Sequence, residues 1–129
     1  MAWRLGKAVR PPHGVSETLK SFFGDAVDNV RVVEYSLFAR LHLRAIATTR
    51  RRSIYLTGSA EDFFTDPVLM LHEYCHVLNQ WEPGDLTTMR YLVECLRRGY
   101  WDNRFEVEAR EFAADHAYRF RALLAKHLR

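Results

Sequence analysis

Cysteine, proline and glycine are scarce in this sequence, and each scarcity excludes a class of structure. The 129 residues include only two cysteines, four prolines and six glycines. Cys75 and Cys95 are not a closely spaced metal-binding pair, so we expect two buried free thiols and no disulfide. The few prolines and glycines form no flexible linker or low-complexity tract. A disulfide scaffold and a cysteine-based zinc site are therefore both excluded.

Long apolar runs are absent as well. No run approaches the roughly 18 residues that a membrane-spanning helix requires, and residues 1–7 lack the apolar centre of a signal peptide. We therefore expect a cytoplasmic protein with no membrane partner. Hydrophobic residues make up 48% of the chain, which excludes disorder throughout. This length predicts a single domain over residues 1–129, with an irregular N-terminal arm over residues 1–13.

Neither sign of charge is in large excess. Lys and Arg number 19 against 16 Asp and Glu, which gives a formal net charge of +3. That excess is too small to indicate nucleic-acid binding. The densest basic run, Arg50-Arg51-Arg52, lies between two strand-like segments, and we interpret it as a solvated turn. Nucleic acid is therefore not an expected partner.

Hydropathy periodicity and turn residues divide the chain into helices and strands. The predicted helices cover Ser16–Phe23, Ser36–Ala45, Thr65–Gln80, Leu86–Arg98 and Arg104–His127, and the predicted strands cover Val30–Tyr35, Ala47–Thr49 and Ser53–Thr57. Ser16 and Thr65 are predicted N-caps, the latter with Pro67 close behind, while Gly24 and Pro83-Gly84 should end helices. The expected fold is α+β, a helix-rich zincin-like domain with a small sheet before the third helix.

The third predicted helix carries His72-Glu73-Tyr74-Cys75-His76, the pattern H-E-x-x-H. Side chains four positions apart on a helix lie one turn above each other, so both imidazoles can reach one ion. Two neutral histidines suit Zn²⁺, and Glu73 is placed to take a proton from a metal-bound water. The motif therefore predicts His72 and His76 as zinc ligands and Glu73 as a general base.

A helical wheel places His72, Glu73 and His76 on a polar stripe that they share with Asn79 and Gln80. The opposite side is apolar and consists of Met70, Tyr74, Val77, Leu78 and Trp81. Such a stripe suits the floor of a cleft. An exposed amphipathic helix with incidental histidines is the alternative interpretation.

A catalytic zinc requires a third protein ligand, and the last helix offers four acidic residues. Glu106 falls inside the apolar face of that helix, whereas Glu108, Glu111 and Asp115 fall outside it. A carboxylate on a core-facing stripe needs a partner, and a metal ion is a suitable one. Glu106 is therefore the predicted third ligand. A capping box with Asn103 is its alternative role, and Glu111 is the alternative ligand.

Further side chains could serve such a site. His116 faces the apolar stripe of the last helix, where we interpret it as a hydrogen-bonded core histidine. Tyr100, Asp102 and Tyr118 are candidates to orient a ligand histidine or to donate to an oxyanion. The sequence does not choose among these three.

The segment from Leu19 to Trp81 resembles a bacterial family of uncharacterised peptidase domains in the zincin group. The shared features are Phe23-Gly24, Val30-Arg31-Val32, Ala47-Thr48-Thr49, Ile54-Tyr55-Leu56 and the helix His72-Glu73-Tyr74-Cys75-His76-Val77-Leu78-Asn79-Gln80. Further along, Asn103-Arg104-Phe105-Glu106-Val107-Glu108-Ala109 is similar to Asn-Pro-(Phe/Tyr)-Glu-x-Glu-Ala. The resemblance implies a gluzincin-like metallopeptidase whose third ligand is Glu106.

The sequence departs from that family at two places. Arg104 stands where the family has proline, and Tyr74-Cys75 replaces a small apolar pair after the glutamate. A competing alignment exists, because residues 111–115 are similar to a signature of HtpX-type membrane proteases. This sequence shows no counterpart of the transmembrane helices of those proteases.

The residues and the resemblance together predict a zinc metallopeptidase that hydrolyses a protein or peptide substrate. The alternative is a metal-containing protein-binding module without peptidase activity. Glu73 argues against that alternative, because a purely structural metal site needs no base beside its ligands. Nucleic-acid binding through Arg50–Arg52 ranks last.

Overall fold

A small sheet and five helices make up the described part of the chain. The computed structural model describes residues 6–37 and 47–128. Its strands are β1 (Lys7–Ala8), β2 (Arg31–Glu34), β3 (Ala47–Arg50) and β4 (Ser53–Leu56). Its helices are α1 (His13–Phe23), α2 (Ala60–Phe64), α3 (Pro67–Tyr74), α4 (Thr88–Asp102) and α5 (Arg104–His127), with a 3₁₀ helix at Asp25–Asn29 and a π-helical continuation of α3 over Cys75–Trp81. The predicted α+β fold, rich in helix with a small sheet early in the chain, is confirmed.

The four strands form one mixed sheet in the order β1-β2-β4-β3. Strands β2 and β4 are parallel, with buried Val32 opposite buried Ile54, whereas β1 and β3 pair antiparallel to their neighbours. Strand β3 lies at the edge nearest the helix 67–81, called here the motif helix, where Trp81 Nε1 donates to Thr49 Oγ1 over 3.2 Å. The sheet thereby supports the C-terminal end of the motif helix.

Two residues of the arginine run form the turn between β3 and β4, as predicted, whereas Arg50 is the last residue of β3. Residues 51–52 are the turn, and Arg52 adopts a φ of 61°, in the left-handed region. The Arg52 guanidinium bonds the carboxylate of Glu82, with Nε and Oε1 3.2 Å apart. This ion pair links the exposed hairpin turn to the residue that follows the motif helix.

The motif helix runs through the hydrophobic core. Met70, Tyr74 and Val77 are fully buried, which confirms the innermost part of the predicted apolar side. On its polar side, α5 packs across with the small buried residues Ala109 and Ala113. Small side chains let two helix axes approach closely, so the first turn of α5 comes within hydrogen-bonding reach of the motif histidines.

Several element boundaries differ from the predicted ones at the N-terminal end. The segment expected to be an irregular arm contributes β1, and α1 begins at His13 rather than at Ser16. The reason is Pro12, whose φ of −55° already suits a helix start and whose carbonyl accepts the Ser16 N–H. Gly24, with a φ of 80°, ends α1 as predicted.

The start of the motif helix also shifts by one residue. Asp66, not Thr65, is the N-cap, and its carboxylate accepts from the Leu69 N–H over 3.1 Å. Thr65 instead ends the unpredicted helix α2, which is capped by Ser59. From Cys75 the motif helix is π-helical, a difference that a hydropathy pattern over seven residues does not reveal.

The two C-terminal helices agree closely with the predicted ranges. Gly99, with a φ of 79°, interrupts α4 just after the predicted end at Arg98, and α5 covers the predicted range. The predicted helix over residues 36–45 falls mostly outside the described residues.

Both cysteines are free, Cys75 buried and Cys95 half-buried. None of the described helices has the length and hydropathy that crossing a membrane requires.

Candidate metal centre

Two helices supply the three predicted ligands. His72 and His76 lie one turn apart on the motif helix, and Glu106 lies in the first turn of α5. That turn is fixed by Asn103, a fully buried N-cap whose Oδ1 accepts from the Phe105 N–H over 2.9 Å. His76 and Glu106 are buried and His72 is half-buried, so the cluster lies below the surface and is reached by solvent at His72.

The three ligand atoms form a nearly equilateral triangle. Glu106 Oε1 is 3.0 Å from His72 Nε2 and 3.1 Å from His76 Nε2, and the two Nε2 atoms are 3.2 Å apart. A tetrahedral zinc with bonds of about 2.0–2.1 Å holds its ligand atoms roughly 3.3 Å apart. The donor set and the spacing therefore fit a metal ion above this triangle, and His72, His76 and Glu106 are the residues that could hold it.

Neighbouring side chains also bond the second polar atom of His76 and of Glu106, the atoms that are not part of the triangle. Gln80 Oε1 accepts from His76 Nδ1 over 2.6 Å, and the Tyr91 hydroxyl donates to Glu106 Oε2 over 2.7 Å. Second contacts of this kind fix the orientation of metal ligands. Sequence reasoning placed Gln80 on the polar stripe but missed Tyr91, because its role depends on how α4 crosses α5.

The buried charges of the cluster stabilise one another. Burial alone would raise the pKa of Glu106, but hydrogen bonds from His72 and His76 hold that pKa well below its usual range. Burial likewise favours a lower pKa for His76, yet the bond and charge of Glu106 outweigh it and raise the pKa to about 9. The Glu106 carboxylate and the His76 ring therefore each favour the charged form of the other.

Glu73 is buried beside the histidines but outside their hydrogen-bond network. Desolvation raises the pKa of its carboxyl, although the nearby charges of His76 and His72 oppose the rise. Among the described residues, no side chain hydrogen-bonds its carboxylate. A buried carboxylate with a raised pKa and no bonded donor is well suited to accept a proton.

The structure separates the alternatives that the sequence left open. Glu111 is exposed on the far side of α5, so it is not a third ligand of this cluster. Asn103 is the N-cap, as the capping-box alternative predicted. The Glu106 carboxylate, however, bonds the histidines, so the capping box is not formed.

The interpretation of the motif helix as an exposed amphipathic helix is wrong, because α5 covers its polar side. His116 bonds the Phe112 carbonyl from Nδ1 over 2.7 Å, as expected of a hydrogen-bonded histidine.

The three candidates for orienting or oxyanion roles lie in different environments. Tyr118 is 87% exposed on α5, and Asp102 is exposed as well. Tyr100 is 60% exposed, and the partial burial of its ring together with the negative charge of Glu106 raises the pKa of its phenol to about 12. None of these three described side chains forms a hydrogen bond with His72, His76 or Glu106.

Comparisons of the chain with protein-family models, with curated proteins and with solved structures find no match.

Proposed function

We propose that this protein is a zinc metallopeptidase of the gluzincin type, with a protein or peptide as its substrate. One observation carries the proposal: His72, His76 and Glu106 bring three donor atoms within 3.2 Å of one another. The resemblance of the H-E-x-x-H segment to zincin peptidase domains supports the same conclusion. In this proposal zinc, when bound, polarises the scissile carbonyl and lowers the pKa of the attacking water.

The proposed role of Glu73 is that of general base. Its carboxylate takes a proton from the attacking water and passes it to the leaving amine. Desolvation raises the pKa of the Glu73 carboxyl, and a higher pKa increases the proton affinity of its carboxylate. Burial also shields the transfer from bulk water, which strengthens the electrostatic interactions within the site.

The number of ligands favours a catalytic over a structural metal. Within residues 6–37 and 47–128, the metal-binding group has three members, not four. Three protein ligands leave one tetrahedral position for a water or substrate, whereas structural zinc sites are closed by four. The half-buried position of His72 leaves that side of the cluster accessible from solvent.

Substitution of the base tests this proposal directly. The Glu73→Gln variant retains all three ligands, so it should bind zinc as the wild type does. Its peptide hydrolysis should fall by about 10²–10⁴-fold, the usual contribution of a general base. The assay is mass-spectrometric detection of cleaved products in a mixed peptide library, with zinc content measured on the same samples.

The matched control is Glu111→Gln, which makes the same change at an exposed position of α5. It should leave both hydrolysis and zinc content unchanged. Undiminished hydrolysis by Glu73→Gln would contradict the assignment of the base. Zinc-loaded wild type that cleaves no peptide would favour the protein-binding alternative instead.

A further inference from the structure

Gln80 is a fully buried polar residue in contact with a proposed metal ligand. It lies one turn after His76, and its Oε1 is 2.6 Å from His76 Nδ1. Its Nε2 is 2.9 Å from the Phe105 carbonyl oxygen and 2.7 Å from Glu108 Oε1. Every polar atom of the Gln80 side chain is therefore engaged.

These contacts permit one orientation of the Gln80 amide. The Phe105 carbonyl and the Glu108 carboxylate only accept hydrogen bonds, so the amide NH₂ must face them. The amide oxygen then has to face His76. Because an amide oxygen cannot donate, His76 Nδ1 must carry the proton of this bond.

The orientation of Gln80 determines which nitrogen of His76 is available to a metal. With Nδ1 held as a donor, the lone pair of the neutral ring resides on Nε2. That is the atom 3.1 Å from Glu106 Oε1 and 3.2 Å from His72 Nε2. The same bond also restrains the ring, which keeps Nε2 within 3.2 Å of both other ligand atoms.

We propose that Glu108 and Gln80 are positioning residues that act in series, with Glu108 orienting Gln80 and Gln80 orienting His76 for metal binding. This inference rests on the proposed function, because it assumes that His76 is a metal ligand. It assigns a role to Glu108, a residue that the helical wheel placed on the solvent side. Loss of such outer contacts typically weakens metal binding by 10–100-fold.

The first test compares zinc affinities by competition with a chromogenic chelator. Gln80→Met retains the length of the side chain without its polar atoms and should weaken zinc binding by about 10–100-fold. Glu108→Ala, at an exposed position, should weaken it by a smaller factor. The control Asn79→Ala alters the adjacent exposed amide of the same helix and should bind zinc as the wild type does.

A second test separates positioning from a purely structural role. Gln80→Glu places two carboxylates in contact and should also weaken zinc binding. Adding Glu108→Gln supplies an amide that donates to the new carboxylate, which can then accept from His76 Nδ1. Zinc affinity should recover in the double variant. Its metal-free stability in urea should remain lowered, because the Phe105 carbonyl has lost its donor.

The outcomes distinguish this inference from the proposed function. If the wild type binds zinc and Gln80→Met binds it equally tightly, the positioning role is refuted while the metal centre stands. If affinity in the double variant fails to recover, or recovers only together with stability, the role of Gln80 is structural. A wild type that binds no zinc overturns both the proposed function and this inference.

Discussion

At the scale of single residues, Tyr74 shows that one motif position serves packing rather than chemistry. Its ring is fully buried and lies against Phe23 and Phe63. Its hydroxyl has no hydrogen-bond partner in the described part of the chain. Burial accordingly raises the pKa of this phenol above its usual range. The ring stabilises the core while the hydroxyl costs free energy.

Replacement of that hydroxyl should stabilise the protein. An unsatisfied buried hydroxyl costs about 1–3 kcal/mol, and Tyr74→Phe removes it with little change in shape. We expect the free energy of unfolding in urea to rise by about 1 kcal/mol. Tyr118→Phe, the same change at an exposed position, should stay within about 0.5 kcal/mol of the wild type. A destabilised Tyr74→Phe variant would show that the hydroxyl is satisfied.

The ligands of the candidate site could be predicted from the sequence, but their supporting residues could not. His72 and His76 follow from spacing along one helix, and Glu106 follows from its place on an apolar helix face. These are local properties that helical periodicity encodes. Tyr91 and Glu108 reach the cluster only because α4 and the motif helix pack against α5. Such contacts depend on tertiary packing, which a single sequence does not specify.

At the scale of elements, the junction between α4 and α5 determines where Glu106 lies. Asn103 caps α5 through the Phe105 N–H and donates from Nδ2 to the Tyr91 carbonyl over 3.2 Å. The Glu94 carboxylate accepts from the Arg104 N–H over 3.2 Å. These bonds fix the start of α5 against α4, and the N-cap Asn103 lies three residues before the proposed ligand Glu106.

Loss of this cap should affect both stability and metal binding. Asn103→Ala removes a buried cap and the bond from the Asn103 amide to the Tyr91 carbonyl, so we expect a loss of about 2 kcal/mol in urea denaturation. Zinc affinity should fall as well, because Glu106 loses its fixed position. The control Thr87→Ala removes the exposed cap of α4 and should cost about 1 kcal/mol without changing zinc affinity. Unchanged zinc affinity in Asn103→Ala would show that the cap does not position Glu106 for metal binding.

Elements with strong local signals could be predicted, and those shaped by neighbours could not. The range of α5 follows from Asn103 and the long periodic pattern after it, and the hairpin around Arg51 follows from two β-branched segments. Helix α2 is only five residues long, too short for a periodic signal. Strand β1 has two residues and exists because β2 offers an edge to pair with. Both depend on tertiary context rather than on local pattern.

At the scale of the whole molecule, the proposed metal would join two distant parts of the chain. His72 and Glu106 are separated by 34 positions and belong to different helices. An ion that binds only the folded state stabilises it, by about 2.7 kcal/mol at a free concentration one hundred times its Kd. Zinc should therefore act as a stabilising link between the motif helix and α5.

Chelation of the metal should lower the thermal stability of the protein. For a chain of this size, about 2.7 kcal/mol corresponds to a shift in Tm of roughly 10 °C. We expect differential scanning calorimetry to show that fall on treatment with EDTA and recovery on addition of zinc. Glu106→Ala should show no response to either treatment. A wild type whose Tm is the same with EDTA and with excess zinc would argue against a bound metal.

The content of metal in the purified protein tests the central claim most directly. Elemental analysis of the wild type, after incubation with zinc and removal of free ions, should find close to one zinc per chain. His76→Ala removes one of three ligands and should reduce that content to background. A wild type that retains no zinc, or a His76→Ala variant that retains as much as the wild type, would contradict the proposed centre.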